Sequence, residues 1–318
     1  MKKLVLLIVM INVIVGLLSF DKYAGEIYEI PVGVRNIALG NTGLTDVKGY
    51  SPAYWNPALL PELERSTLEL MHAKEFDGLF KYDSFSFYYH AQNSIAISLT
   101  RISINDIPLT KLENGQLPLS NDNRPYAYKF VDNNDYLLNI ALGRKITSRL
   151  NMGITPKITY RQLAEESAWA IGADLGFLYK ISSDFVLAGK INNVIATHIL
   201  WENGSYELAS PKGELEFRYD LGLWREKLLL EFIMRSDIYL FADSDIGDYD
   251  LAFTSLSNHY GLAITPFPNI SVLTGYDVDS LTAGIDLKYR DFSLFYAYKN
   301  NSKGDLGNSQ KISLGYQF

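Results

Sequence analysis

Apolar and polar residues alternate one by one through short segments of this chain, and that period leaves the β-strand as the element able to use it. Over residues 281–289, Leu281, Ala283, Ile285, Leu287 and Tyr289 share one face, and Thr282, Gly284, Asp286 and Lys288 the other. Segment 150–161 sets Leu150, Met152, Ile154, Pro156, Ile158 and Tyr160 against Asn151, Gly153, Thr155, Lys157, Thr159 and Arg161. Segments 169–180 and 215–223 repeat the pattern, with Leu178 as the exception. A soluble β-sandwich alternates in the same way, so two further features decide. The polar face carries charges and glycines, while the apolar face ends in Trp169, Tyr179, Tyr160, Tyr289 and Tyr298, as a lipid-facing wall with interfacial aromatics requires. Short turns also alternate with mostly longer links at 105–133, 162–167, 196–212, 239–249 and 300–309, matching the short inner turns and long outer loops of membrane barrels. The expectation is an all-β, closed antiparallel transmembrane barrel of about fourteen strands, with twelve and sixteen as the neighbouring even counts. The first three strands are the least regular, because Arg101 falls on an apolar face.

The last strand fixes the orientation. Ile312, Leu314, Tyr316 and Phe318 face lipid, and Lys311, Ser313, Gly315 and Gln317 face inward. A terminal Phe preceded by apolar residues at every second position resembles the signal read by the outer-membrane assembly machinery. At the other end, Met1-Lys2-Lys3 and an apolar run from Leu4 to Leu18 read as a secretory leader. The run is shorter than the roughly 20 residues of a spanning helix. The expected organisation is a cleaved leader at 1–19, an N-terminal segment at 20–63 and a barrel at 64–318, placed in the bacterial outer membrane and in contact with its lipid.

The formal charge of −7 becomes −9 when Lys2 and Lys3 leave (27 basic against 36 acidic residues), and an acidic chain without basic clusters excludes nucleic acid as a partner. There is no Cys, so neither disulfides nor thiolate metal sites are available. No Gly-x-Ser-x-Gly, His-Glu-x-x-His or phosphate-loop pattern is present. Of the single histidines at 72, 90, 198 and 259, His90 and His259 fall on predicted inward positions. The aspartates from Asp237 to Asp250 and from Asp277 to Asp279 do not follow calcium-loop spacing and read as solvated loops. The reading is therefore non-enzymatic, with no cofactor and no metal. Lumen-facing charges of both signs are expected at Lys157, Arg161, Asp174, Lys190, Glu216, Arg218, Asp220, Glu231, Arg235, Asp286 and Lys288. A selective ion pore would show rings of one sign.

The region before the strands carries a motif: Gly33, Arg35, Leu39, Gly40 and Gly43, then Asp46, then Trp55-Asn56-Pro57-Ala58. This block resembles that of PorV/PorQ-type outer-membrane proteins, relatives of FadL-type long-chain fatty-acid transporters. Asn36 and Asn41 depart from the family's small residues, and Val47-Lys48-Gly49 from its usual acidic run. The resemblance implies fourteen strands with the N-terminal segment folded into the lumen as a plug. Arg35 would then meet one of Asp174, Glu216, Asp220, Glu231 and Asp286, or else remain a solvated charge. Trp55 is packing or a ligand contact. Two functions follow. One is passage of hydrophobic small molecules, by a wall gap or a moving plug, with Pro156 the only proline inside a predicted strand. The other is a docking component for secreted proteins, with loop 105–133 as its surface.

Overall fold

The computed structural model describes residues 23–91, 94–224, 227–240, 249–251, 254–300 and 307–318. The leader assigned to 1–19 lies outside them. Seventeen strands form one sheet that closes on itself: β1 (Thr67–Glu75), β2 (Phe80–Tyr89), β3 (Ile95–Leu112), β4 (Pro125–Lys145), β5 (Leu150–Leu163), β6 (Glu166–Lys180), β7 (Phe185–Asn192), β8 (Thr197–Trp201), β9 (Tyr206–Ala209), β10 (Lys212–Leu223), β11 (Leu228–Leu240), β12 (Tyr249–Leu251), β13 (Thr254–Phe267), β14 (Ile270–Asp277), β15 (Ser280–Tyr289), β16 (Phe292–Asn300) and β17 (Ser309–Gln317). Closure is made by β1, which pairs antiparallel with both β2 and β17. β7 and β8 occupy one wall position, β9 and β10 the next, and β12 is a loop strand on β13, so the wall has fourteen antiparallel strands.

Alternation sets which side each residue faces. In β17, Lys311, Ser313 and Gly315 are buried inward and Ile312, Leu314 and Tyr316 are exposed outward. The same split runs round the wall and leaves an external belt of Leu, Ile, Phe and Tyr. The links after β2, β4, β6, β10, β13 and β15 have two to five residues and lie at the end that carries Phe318, here the turn end. The opposite end is the loop end.

Four expectations are corrected. Stretch 105–133 is mostly strand: β3 has 18 residues and β4 has 21, so the pair extends beyond the wall as a hairpin. Its outer part is exposed on both faces, so no contrast of environment imposed an apolar–polar period on it. Link 162–167 shrinks to residues 164–165, with Ala164 in the left-handed region (φ 55°). Segment 196–212 contains β8 and β9, and the strand expected over 185–195 stops at Asn192. Between its Leu175 and Ile171 pairings, β6 spans four residues while the facing strand spans seven, so the wall bulges at 193–196. Asn193 and Ala196 take positive φ there. Asp237 and Asp277 lie in β11 and β14 rather than in loops.

Pro156 does not kink the wall. The β4–β5 ladder omits its pairs beside Pro156 but keeps one register on both sides, Asn139↔Lys157 and Leu142↔Ile154. Pro108 also lies inside a strand, within a stretch where the β3–β4 register shifts.

Candidate functional site: the occupied lumen

Residues 24–63 pack against inward-facing side chains of the wall as short turns: a 3-10 turn (Glu26–Glu29), helix α1 (Val34–Ala38), helix α2 (Pro52–Trp55) and a 3-10 turn (Pro57–Glu62). They supply a large share of the buried apolar residues, and the inner wall supplies most of the buried charges. Buried charges need partners and buried backbone needs hydrogen bonds, and the contacts show how both are met.

Arg35 is 1% exposed and is the hub. Its Nε donates to Asp46 (3.1 Å), its Nη2 to Glu231 (3.1 Å) and its Nη1 to Asp286 (3.3 Å), while Lys48 also pairs with Glu231 (2.8 Å). The choice among five carboxylates thus falls on β11 and β15. Burial alone would raise the Asp46 carboxyl, but Arg35 beside it and the Lys48 amide hold it below the usual carboxylate range. Burial opposes the Arg35 charge, and its three carboxylates more than offset that. Asn36, a departure from the family motif, donates to Asp46 (2.9 Å) and to the Thr42 carbonyl (3.1 Å), completing this cluster.

The rest of the motif has equally local reasons. Gly40 (φ 70°) lies against the backbone of Tyr260 and Tyr276, where any Cβ would collide. Thr282 accepts from the Gly40 amide (3.1 Å) and donates to the Ala38 carbonyl (2.9 Å). Gly33 adopts φ 86° and starts α1, and Leu39 is fully buried. Gly43 lies under the Trp55 indole, and a methyl there would overlap the ring. Glu216 accepts from the Gly43 amide (2.7 Å), the Thr45 amide (2.8 Å) and the Thr45 hydroxyl (2.7 Å). Trp55 is buried, donates from Nε1 to the Val32 carbonyl (2.8 Å) and lies 5.3 Å from the Arg235 guanidinium. Asn56 ties segment to wall, donating to the carbonyls of Leu44 (2.9 Å) and Phe177 (3.1 Å) and accepting from the Ala58 amide (3.0 Å). Pro57 sits over three glycines that pair in register, Gly143, Gly153 and Gly176, and Ala58 is fully buried. Leu178, the exception to alternation, faces inward and packs with Leu44, Trp55 and Leu59.

The remaining charges line the lumen. Asp174 pairs with Lys157 (2.7 Å) and Lys190 (3.3 Å), and Lys190 donates to the Tyr54 carbonyl (2.7 Å). Arg161 meets Asp135 (3.3 Å), Arg218 meets Asp220 (3.2 Å), Arg235 meets Asp237 (2.9 Å) and Lys288 lies 3.9 Å from Asp286. Several anchors carry no motif signal: Glu69 accepts from Ser51 (2.8 Å) and Ser313 (2.6 Å), Tyr88 donates to the Leu60 and Leu63 carbonyls, and Lys180 pairs with Glu62.

The histidines are dispersed. His259 lies inward between Asp237 (3.5 Å) and Asp277 (2.8 Å). His90 lies just past the end of β2, exposed at the turn end, with its Nδ1 3.2 Å from the hydroxyl of the inward Tyr88. His72 pairs outward with Asp83, and His198 contacts Tyr206. Among the described residues no cluster of three or more His, Asp or Glu suits a metal.

At the loop end the segment leaves a cavity of about 370 Å³ lined by Ile30, Pro31, Ile37, Phe76 and Phe80, with Glu29, Glu75, Lys299 and Lys311 around it. A more polar one of about 210 Å³ adjoins it at Glu29, Pro31, Asn41 and Lys299.

No protein-family model matches the sequence, and no curated protein does. Solved structures do share the fold. The P. putida toluene transporter TodX superposes with a TM-score of 0.58 at 11% identity, over 90% of this chain and 98% of that one. The Ralstonia pickettii toluene transporter TbuX gives 0.53 at 10% identity, over 91% and 98%. A Pseudomonas aeruginosa FadL homologue gives 0.52 at 10%, over 91% and 98%. The class defined is a closed fourteen-strand antiparallel β-barrel of the FadL type.

Proposed function

We propose that this protein lies in the bacterial outer membrane and passes hydrophobic small molecules across it, with residues 23–63 acting as a plug. The observation that carries this reading is the loop-end cavity, whose volume falls in the range of small-molecule sites and whose apolar lining comes from both the plug (Ile30, Pro31, Ile37) and the β1–β2 hairpin (Phe76, Phe80). An external apolar belt supports the location, and a shared fold with two toluene transporters supports the solute class.

The plug is not held evenly. Around Arg35 it is fixed by buried ion pairs, whose loss is expensive. Residues 24–31 have no fully buried ion pair among the described residues: Tyr54 bonds the Tyr28 carbonyl (3.4 Å), Tyr239 bonds Glu29 (3.2 Å), Tyr82 bonds the Pro31 carbonyl (2.9 Å), Lys212 lies 3.5 Å from the half-exposed Glu29 and Lys157 lies 4.6 Å from the Tyr28 ring. Ala24 packs beside the wall bulge, against Ala168, Ala170, Ile199 and Ala209 of β6, β8 and β9. A solute entering beside Phe80 would leave by displacing this stretch toward that bulge, without breaking the Arg35 cluster. The test is uptake of a monoaromatic hydrocarbon into vesicles bearing the full chain. Phe80→Asp should abolish most of the uptake while folding is retained; uptake equal to that of empty vesicles in the unmodified protein would overturn the reading.

A second reading is favoured by one observation. The β3–β4 hairpin projects past the wall and exposes Tyr126, Tyr128 and Phe130, as a docking surface does. It suits a PorV/PorQ-type role in which secreted proteins dock on the barrel. Shortening the hairpin should then reduce surface delivery of secreted proteins and leave hydrocarbon uptake unchanged.

A further inference from the structure

The external belt is uneven. On β6 the outward apolar and aromatic positions run from Tyr179 to Trp169, about 34 Å along the strand at the usual rise. Trp169 packs on Tyr160 (5.0 Å between centroids), and Tyr160 on Tyr136 (6.4 Å), forming the upper aromatic rim of β4–β6. On β2 the outward series is Tyr89, Phe87 and Phe85, about 14 Å, and then Asp83, which stands in the same ladder row as Tyr136, Tyr160 and Trp169. Ladder register stacks three rows across β1–β3. The lowest is Leu70–Phe85–Leu99, the middle is His72–Asp83–Arg101, and the upper holds Lys74 opposite Lys81. All of these side chains are exposed on the outer surface.

The middle and upper rows stand where the apolar wall gives way. In register, Arg101 pairs with Tyr136 of the aromatic rim and Lys74 and Lys81 lie in the next outward row beyond it, so these charges meet the headgroup level rather than the acyl chains. His72 and Asp83 satisfy each other (2.7 Å), and Arg101 donates to Asn134 (3.0 Å). Lys74 and Lys81 face one another directly, an arrangement that repels. Among the described residues neither has an acidic partner. A second copy of this chain seated symmetrically would bring a cationic patch against a cationic patch. A lipid has the order the wall displays, with acyl chains beside the apolar row and an anionic headgroup at the cations above it.

We infer that the outer face of β1–β3 is a seat for a lipid bearing phosphate monoesters, with Lys74, Lys81 and Arg101 holding the phosphate and Leu70, Phe85 and Leu99 the acyl chains. A doubly charged phosphate between Lys74 and Lys81 removes their repulsion, and it would sit just beyond the row of the aromatic rim, where headgroups lie. The inference rests on the membrane location proposed above, but not on the transported solute.

The experiment uses the full folded chain in detergent and native mass spectrometry, titrating diphosphorylated lipid A and, separately, the same lipid dephosphorylated. One tightly held lipid is expected, with preference for the phosphorylated form. Lys74→Gln with Lys81→Gln should weaken it about thirtyfold, from two lost surface charges. Retained heat-modifiable gel mobility and insertion into vesicles show that this variant still folds. Equal binding of both lipids, or equal binding by variant and unmodified protein, overturns the seat while leaving the membrane location intact. A dimer that the two substitutions abolish overturns it in favour of a protein contact. Failure of the unmodified chain to insert into vesicles overturns seat and location together.

Discussion

Arg35 ties the inner segment to the wall, because three carboxylates from three parts of the chain converge on one guanidinium. Two of them, Glu231 and Asp286, belong to the wall, and Asp46 belongs to the inner segment. A planar fork with five donors serves all three in a fixed geometry that a Lys ammonium in the same place would not reproduce. Arg35→Met leaves these carboxylates buried with Lys48 as the nearby cation, and breaking such a buried set should cost about 3–5 kcal/mol. Urea titration followed by heat-modifiable gel mobility would measure it, and Arg35→Lys should recover part of the loss. The pH dependence has a defined sign. The folded Asp46 carboxyl lies below its ordinary value, so its contribution is complete above about pH 4 and is lost as pH falls further. The stability gap between the unmodified protein and Asp46→Asn should be constant above that pH and shrink below it. A gap that stays constant down to pH 2 would show that Asp46 is not held by charge.

Among the elements, wall strands and inner segment fit through rows of glycine. Gly143, Gly153 and Gly176 align across β4, β5 and β6 beneath Pro57, and Gly261 and Gly275 align across β13 and β14 beneath Leu39 and Gly40. A β-branched residue would favour the strand itself but would push the segment out. Gly153→Val should destabilise by about 1–3 kcal/mol through overpacking and increase proteolysis within residues 23–66 before the wall is attacked. Equal proteolysis in both proteins would show that the contact is loose. These rows also mark the boundary of what was legible in the sequence. Wall strands stood out because each separates two environments, which writes a period of two into the residues. Gly153 and Gly284 appeared only as members of the inward face; nothing local says which part of the chain presses on them. Leu178 broke the alternation for that reason, and its partners Leu44, Trp55 and Leu59 lie more than a hundred residues away. The outer part of the β3–β4 hairpin is exposed on both sides and left no contrast to read. The motif around Arg35 was legible as a motif, but its choice of Glu231 and Asp286 over Asp174, Glu216 and Asp220 depends on how the closed wall places each strand.

For the whole molecule, the question is what the barrel becomes without its contents. The wall closes through β1–β17 hydrogen bonds that involve no residue of the inner segment, so the barrel has its own continuous ladder. Deleting residues 23–63 while keeping residues 1–22 should therefore leave a folded barrel with a water-filled lumen. Glu69, Glu216, Glu231 and Asp286 would lose partners in the segment but gain water, which relieves the burial that made those partners necessary. Because Lys157, Lys190, Arg218 and Arg235 face the same lumen as these acids, neither sign forms a ring and the opened pore should discriminate weakly between cations and anions. Planar-bilayer recording gives the answer in one measurement. The full chain should be nearly silent, and the deleted chain should conduct steadily with a reversal potential close to zero in a salt gradient. Steady conduction by the full chain would mean that residues 23–63 do not close the lumen. Strong selectivity in the deleted chain would mean that the inward charges do not balance as their pairing implies.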